Sequence, residues 1–62
     1  MTITFEVGNV IVWNFGRKVG YTVLEIKNEQ VCLYNHETNC ETHVQCTTLQ
    51  DALDGGAAII VD

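Results

Sequence analysis

The three cysteines and two histidines of the chain all lie between Cys32 and Cys46. Their spacing, Cys-x3-His-x3-Cys-x2-His-x2-Cys, offers more side chains than the four ligands that a structural zinc needs. Zinc would also stabilise a chain that is too short for a large core. The cluster therefore raises the hypothesis of a zinc-stapled structural domain, with His36, Cys40 and His43 as the candidate ligands.

The alternation of the flanking residues argues against this zinc site. It assigns Cys32 and Cys46 to opposite faces of a sheet, so the two thiols cannot share one tetrahedron without a bulge. The sequence also contains no Cys-x-x-Cys pair, and a buried Cys46 behaves as a small apolar residue. We therefore predict no cofactor and keep the zinc domain as an alternative.

The same cysteines invite a nucleophile hypothesis, with Cys32 or Cys40 activated by His43. A cysteine nucleophile needs a base, an orienting group and a pocket that excludes water. A chain of 62 residues has little volume for such a pocket, and no glycine-rich loop suited to phosphate binding is present. We predict that the protein is not an enzyme.

Alternating β-branched and apolar residues dominate the first three quarters of the chain and predict strands. The predicted strands span residues 2–7, 10–13, 20–27, 30–35, 42–47 and 57–61. Asn28-Glu29 fits a two-residue turn. The Thr48-x-x-Asp51 spacing resembles a capping box, and Gly55-Gly56 can end a helix. We therefore predict one short helical turn near residues 48–54.

The turn at Asn28-Glu29 also predicts which side chains face the core. It places Leu24 opposite Leu33 and both inward, while Val23 and Tyr34 point outward. Continuing to the next strand, Leu33 lies opposite Val44, Tyr34 lies beside His43, and Val44 and Cys46 are buried.

The stretch Phe5-Glu6-Val7-Gly8-Asn9-Val10-Ile11-Val12, together with a helical turn before the last strand, resembles the small SH3-like barrels that include KOW and Tudor modules. The resemblance implies an all-β (mainly β) fold, a small SH3-like five- to six-stranded antiparallel barrel forming one domain over residues 1–62. It implies no binding residues. In a competing plan, Gly8-Asn9 is a tight hairpin turn between residues 2–7 and 10–15, and the helix packs on a single sheet.

The charge balance favours protein partners over nucleic acid. Three basic residues stand against eight acidic ones, a formal net charge of −5, which repels phosphates and attracts basic protein surfaces. The longest apolar run, residues 57–61, is too short to span a membrane. An odd number of cysteines with no secretory signal predicts reduced thiols and a cytoplasmic location.

Two surfaces carry the predicted partner-binding residues. The first is the segment 13–18, where two aromatic residues adjoin most of the positive charge, and the second is the outward face of the central strands. The predicted residues are Trp13, Phe15, Arg17, Lys18, Tyr34 and His43. We predict a small acidic protein-interaction module that binds and modulates a partner protein, similar in size and charge to phage or mobile-element accessory and inhibitor proteins, with a homodimer as a further option. A nucleic-acid-binding barrel using Trp13, Phe15, Arg17 and Lys18 is the other alternative.

Overall fold

The computed structural model describes residues 4–62. Five strands and one helix follow each other along the chain: β1 (Val10–Asn14), β2 (Lys18–Lys27), β3 (Gln30–Asn35), β4 (Cys40–Gln45), α1 (Cys46–Gly55) and β5 (Ala58–Ile60). The strands form one antiparallel sheet in the order β4-β3-β2-β1-β5. The predicted mainly β class, with five antiparallel strands and one short helix, is confirmed.

Strands β1 to β4 form a meander, and β5 returns after the helix to pair with β1, where Ile11 lies opposite Ile60. The sheet is loosely compatible with a small barrel-like fold. Within the described residues, pairing ends at β4 on one side and at β5 on the other. The sheet therefore has two edges.

The turn between β2 and β3 forms as predicted. Asn28 and Glu29 both have positive φ, 51° and 64°, as a type I′ turn requires at its two central residues. Lys27 and Gln30 close the hairpin as partners. The predicted boundaries of β3 are confirmed at both ends.

A β-bulge in β2 reverses the predicted burial of two residues. The pairing passes from Val23 opposite Leu33 directly to Glu25 opposite Cys32, which leaves Leu24 without a partner in the ladder. An extra residue in one strand shifts its alternation by one. Val23 is consequently 1% exposed and Leu24 is 41% exposed, so the prediction of an inward Leu24 and an outward Val23 is wrong.

The pairing of β3 with β4 differs from the predicted register by two residues. Leu33 lies opposite Thr42 rather than Val44, and Tyr34 lies opposite Glu41 rather than beside His43. The loop is shorter than predicted because the side chain of Asn35 accepts hydrogen bonds from the backbone N–H groups of Glu37 and Thr38, so that β4 starts at Cys40. A shift of two keeps every side chain on its face.

The helix α1 begins two residues before the predicted turn. Gln45 is its N-cap residue and makes no side-chain capping bond, so the predicted capping box is wrong. Cys46, predicted within a strand, is the first helical residue. The predicted glycine stop is confirmed, because Gly56 has a left-handed φ of 85° and donates its N–H to the carbonyl of Leu53.

The segment before β1 is not a strand over residues 4–7, so the prediction of a strand there is wrong, and residues 2 and 3 of that prediction lie outside the described part. Gly8 donates its N–H to the carbonyl of Val23, and Val23 donates to the carbonyl of Asn9. Because these bonds tie the segment to β2, the tight hairpin of the competing plan does not form.

The core lies on one face of the sheet, which we call the core face. Buried side chains of β1, β2, β3 and β5 cluster there with Leu49 and Leu53 of α1, and the partly buried Val44 of β4 packs against this cluster. The buried cluster comprises Ile11, Trp13, Val19, Tyr21, Val23, Val31, Leu33, Leu49, Leu53 and Ala58. Among residues 4–62, no helix has the length and hydropathy needed to cross a membrane.

Candidate functional site: an aromatic groove

Beside α1, the core face opens to solvent in an apolar groove of about 280 Å³. Strands β1 to β4 supply most of its lining, the β1–β2 turn supplies Phe15, and the first turn of α1 supplies Thr48. The lining residues are Trp13, Phe15, Tyr21, Leu33, Thr42, Val44 and Thr48. We call this feature the aromatic groove.

Three aromatic rings in contact give the groove its shape. Trp13 and Phe15 stack with their ring centres 5.3 Å apart and their planes 15° apart. Tyr21 meets Trp13 edge-on at 6.1 Å. Trp13 and Tyr21 are buried, whereas Phe15 is 60% exposed. The groove therefore has a fixed aromatic floor and one exposed aromatic side.

The local sequence holds Phe15 in this position. Trp13 and Phe15 are two residues apart, so an extended chain places both on the same face. The next residues form a tight turn, in which Gly16 has φ of 89° and the Asn14 side chain accepts its N–H at 3.0 Å. Phe15 donates its own N–H to the carbonyl of Arg17. These hydrogen bonds fix the backbone conformation at Phe15, whose ring is exposed.

The two cations of the predicted 13–18 segment lie at the rim of the sheet. Arg17 donates to Glu37 in an exposed ion pair, which connects the β1–β2 turn to the β3–β4 loop. Lys18 is exposed and lies opposite Asn14. Its neighbour Val19 is buried, so alternation directs Lys18 away from the core face.

Tyr34 and His43 lie on the opposite side of the sheet, which we call the polar face. The hydroxyl of Tyr34 donates to the Asn39 side chain at 3.0 Å, and its ring meets that of His36 edge-on at 5.1 Å. His43 is exposed opposite Cys32. The structure thus divides the predicted partner-binding residues between two faces.

Sequence reasoning did not predict five of the lining residues as binding residues, namely Tyr21, Leu33, Thr42, Val44 and Thr48. It placed Leu33 and Val44 in the core and did not single out Tyr21. Alternation with the buried residues Val19 and Val23 was the signal that could have identified Tyr21 as a core-face residue. The bulge hid this signal, because a regular β2 places Val23 outward.

The candidate zinc ligands are not gathered at one point. The Nε2 atom of His36 lies 2.5 Å from the Thr22 hydroxyl, and the Cys40 thiol donates to the Thr38 carbonyl at 3.5 Å. His43 lies on β4 opposite Cys32. Across residues 4–62, no three His, Cys, Asp or Glu side chains form a group that could hold a metal ion.

A second, polar cavity of about 290 Å³ lies beside Cys32 on the polar face. The Cys32 thiol donates to the Glu41 carboxylate at 3.4 Å. Burial, this hydrogen bond and the negative charges of Glu41 and Glu25 raise the pKa of Cys32 above its ordinary value. A cysteine nucleophile requires a lowered pKa. The surroundings of Cys32 therefore favour the neutral thiol over the thiolate.

The groove and the polar cavity differ in chemistry. Aromatic and aliphatic side chains dominate the groove, whereas carboxylates, amides, a lysine and a histidine dominate the cavity.

No protein-family model, no curated protein and no solved structure matches this chain.

Proposed function

We propose that this chain is a small, non-enzymatic protein-interaction module that binds its partner through the aromatic groove. The observation that carries the proposal is the exposed Phe15 ring stacked on the buried Trp13. Binding hot spots are rich in aromatic residues that are already ordered before the partner arrives. Phe15 loses little conformational freedom on binding, because its backbone and its ring are both held in place.

The strand order supports the finer assignment to the SH3-like barrels. A four-stranded meander, a helix and a last strand that returns to the first follow the plan that the sequence resemblance implies. Such a barrel offers surface grooves for recognition rather than a deep catalytic cavity. The assignment remains part of the proposal.

The proposed partner is a protein whose activity the module modulates in the cytosol. The formal net charge of −5 favours a basic surface on that partner. The three cysteines are free, which suits a reducing compartment. Similarity to phage or mobile-element accessory proteins rests on size and charge and is an analogy.

The experiment that tests this function compares two exposed apolar positions. Peptides that bind the unmodified protein are selected from a random displayed library, and their affinities are measured for Phe15→Ala and Ile59→Ala. Ile59 is a matched control, because it is 53% exposed but lies on β5 and does not line the groove. Circular dichroism establishes that both variants are folded.

Phe15→Ala is expected to weaken binding about 30-fold, which corresponds to a hot spot of about 2 kcal/mol. Ile59→Ala is expected to leave the affinity within about threefold. Trp13 is the single tryptophan of the chain, so its fluorescence reports occupation of the groove. Equal losses in both variants, or none with Phe15→Ala, would contradict the proposed site.

A further inference from the structure

Strand β4 is both an edge of the sheet and a border of the aromatic groove. It pairs with β3 and ends the strand order on that side. Two of its side chains, Thr42 and Val44, line the groove. A partner segment lying along β4 would therefore reach the groove with its side chains and β4 with its backbone.

The hairpin geometry determines which way the backbone of β3 points. A two-residue turn closes with a pair that exchanges backbone hydrogen bonds, here Lys27 and Gln30. Because the direction of these groups alternates along a strand, the N–H and C=O of Val31 point towards β4. The bond from the N–H of Cys46 to the carbonyl of Glu29, 2.8 Å long, follows the same alternation.

The backbone groups of β4 alternate in the same way. Val44 lies opposite Val31 and Thr42 opposite Leu33, so these two residues of β4 are bonded to β3. The N–H groups of Glu41, His43 and Gln45 and the C=O groups of Glu41 and His43 consequently point away from the sheet, at its edge. The C=O of Gln45, the N-cap residue, belongs to the first turn of α1.

The β4 edge lacks three features that commonly prevent strand addition, namely lysine, proline and a bulge. Its six residues, CETHVQ, include no lysine and no proline, and no register shift interrupts its pairing with β3. Proteins usually protect an edge with such features. The other edge strand, β5, has three residues. The longer edge is therefore the one able to hold an added strand.

The charge beside this edge selects a cationic partner. Glu41 lies on β4 and Glu25 on β2, and both carboxylates line the polar cavity. Both negative charges act on the Cys32 thiol, since each contributes to its raised pKa. Lys27 is the one lysine or arginine lining that cavity.

We propose that the partner supplies an extended segment that adds to β4 as a sixth antiparallel strand and alternates apolar with basic side chains. This inference rests on the proposed function and specifies the partner's chemistry. Residues across from Thr42 and Val44 place apolar side chains over the groove. The residue across from Glu41 places a lysine or arginine on the polar face. Backbone bonds supply affinity and alternate side chains supply specificity.

A second copy of this chain fits the edge less well. Two chains with a formal net charge of −5 each repel one another. The apolar-and-basic alternation that the edge favours is also absent from β4 itself, which contains no lysine or arginine. Self-pairing is therefore the competing outcome of the test.

The test uses a capped synthetic peptide of ~8 residues, the length of an ordinary strand, in which valine or leucine alternates with lysine. Amide hydrogen exchange of the protein is followed by NMR with and without the peptide. The expected result is an at least roughly tenfold slowing at Glu41, His43 and Gln45. Amides of Thr42 and Val44, bonded to β3, are expected to be protected in both states.

Two matched controls separate strand addition from adhesion by charge. Methylating the peptide nitrogens that face β4 is expected to abolish binding, whereas methylating the alternate nitrogens leaves it unchanged. Glu41→Lys is expected to weaken the lysine peptide at least about tenfold and to favour its glutamate counterpart.

Four results would overturn the inference. One is the absence of binding by this peptide, and another is binding without slower exchange at Glu41, His43 and Gln45. The third is slow exchange at these amides in the free protein together with a mass of two chains, which assigns the edge to a second copy. Selected peptides that depend on Phe15 without protecting the β4 amides would refute strand addition and leave the proposed function standing.

Discussion

Replacing Val23 with alanine is expected to destabilise the fold more than replacing Leu24, although leucine is the larger side chain. Val23 is 1% exposed and packs in the core, whereas the bulge leaves Leu24 41% exposed. A regular β2 paired through the Asn28-Glu29 turn predicts the opposite order. The pair of variants therefore tests the bulge itself.

The magnitudes follow from the buried carbon atoms. Val23→Ala removes two buried methyl groups, worth about 1.6 kcal/mol in transfer free energy, and the remaining cavity raises the loss to about 2–3 kcal/mol. Leu24→Ala is expected to cost less than about 1 kcal/mol at a largely solvated position. The whole fold is stable by roughly 3–9 kcal/mol at the usual value per residue.

Urea unfolding followed by circular dichroism measures the difference. With a slope of about 1 kcal/mol per molar for a chain of this size, Val23→Ala lowers the midpoint by ~2–3 M and Leu24→Ala by less than ~1 M. Equal slopes are required, so that the midpoints report stability. A larger loss for Leu24→Ala would refute the bulged register and the burial assigned to β2.

Two further predictions concern the helix stop and the Cys32 thiol. Gly56→Ala is expected to lower the free energy of unfolding by about 1–2 kcal/mol, because Gly56 has a φ of 85° and an added Cβ would contact no neighbouring atom that could offset the strain. Gly55→Ala, in the last helical position, is expected to be neutral or stabilising by up to ~1 kcal/mol. Equal effects of the two substitutions in thermal or urea unfolding would contradict the left-handed stop. Because the raised pKa of Cys32 delays thiolate formation, iodoacetamide should modify Cys32 more slowly than Cys40 at about pH 8.5. Glu41→Gln lowers the pKa of Cys32 and speeds its modification, and a rate unchanged by this substitution would show that the carboxylate does not act on the thiol.

The strands and turns with strong local signals could be predicted from the sequence. Asn28-Glu29, placed between two runs of β-branched residues, predicts the β2–β3 hairpin. Gly55-Gly56 predicts the end of the helix, because glycine adopts the left-handed backbone conformation that ends a helix without a steric penalty. In these places local chemistry and tertiary structure agree.

The burial of Val23 and Leu24 could not be predicted, because a bulge is set by the pairing of whole strands rather than by the residue that bulges. The N-terminal residues Phe5 and Val7 alternate as a strand does, yet the chain there bonds to Val23 near the bulge instead of forming a regular strand. Helix α1 starts without a capping side chain, so no sequence signal marks Cys46.

Only the part of the candidate site that lies on one short segment could be predicted from the sequence. The aromatic residues Trp13 and Phe15 are adjacent in alternation, and their shared face follows from an extended chain. Tyr21 and Val44 join them from β2 and β4, and that juxtaposition depends on the bulge and on the length of the β3–β4 loop. Sequence patterns therefore identified Trp13 and Phe15 as binding residues but not the residues that β2 and β4 contribute to the groove.

The most direct test of the central claim is isotope-filtered NMR of the labelled protein with a peptide selected for binding. The account predicts nuclear Overhauser contacts from the peptide to the Phe15 ring and the Val44 methyl groups, with none to Ile59. Contacts confined to the polar face, around Tyr34 and His43, or to β5 would contradict the assignment of the aromatic groove as the binding site.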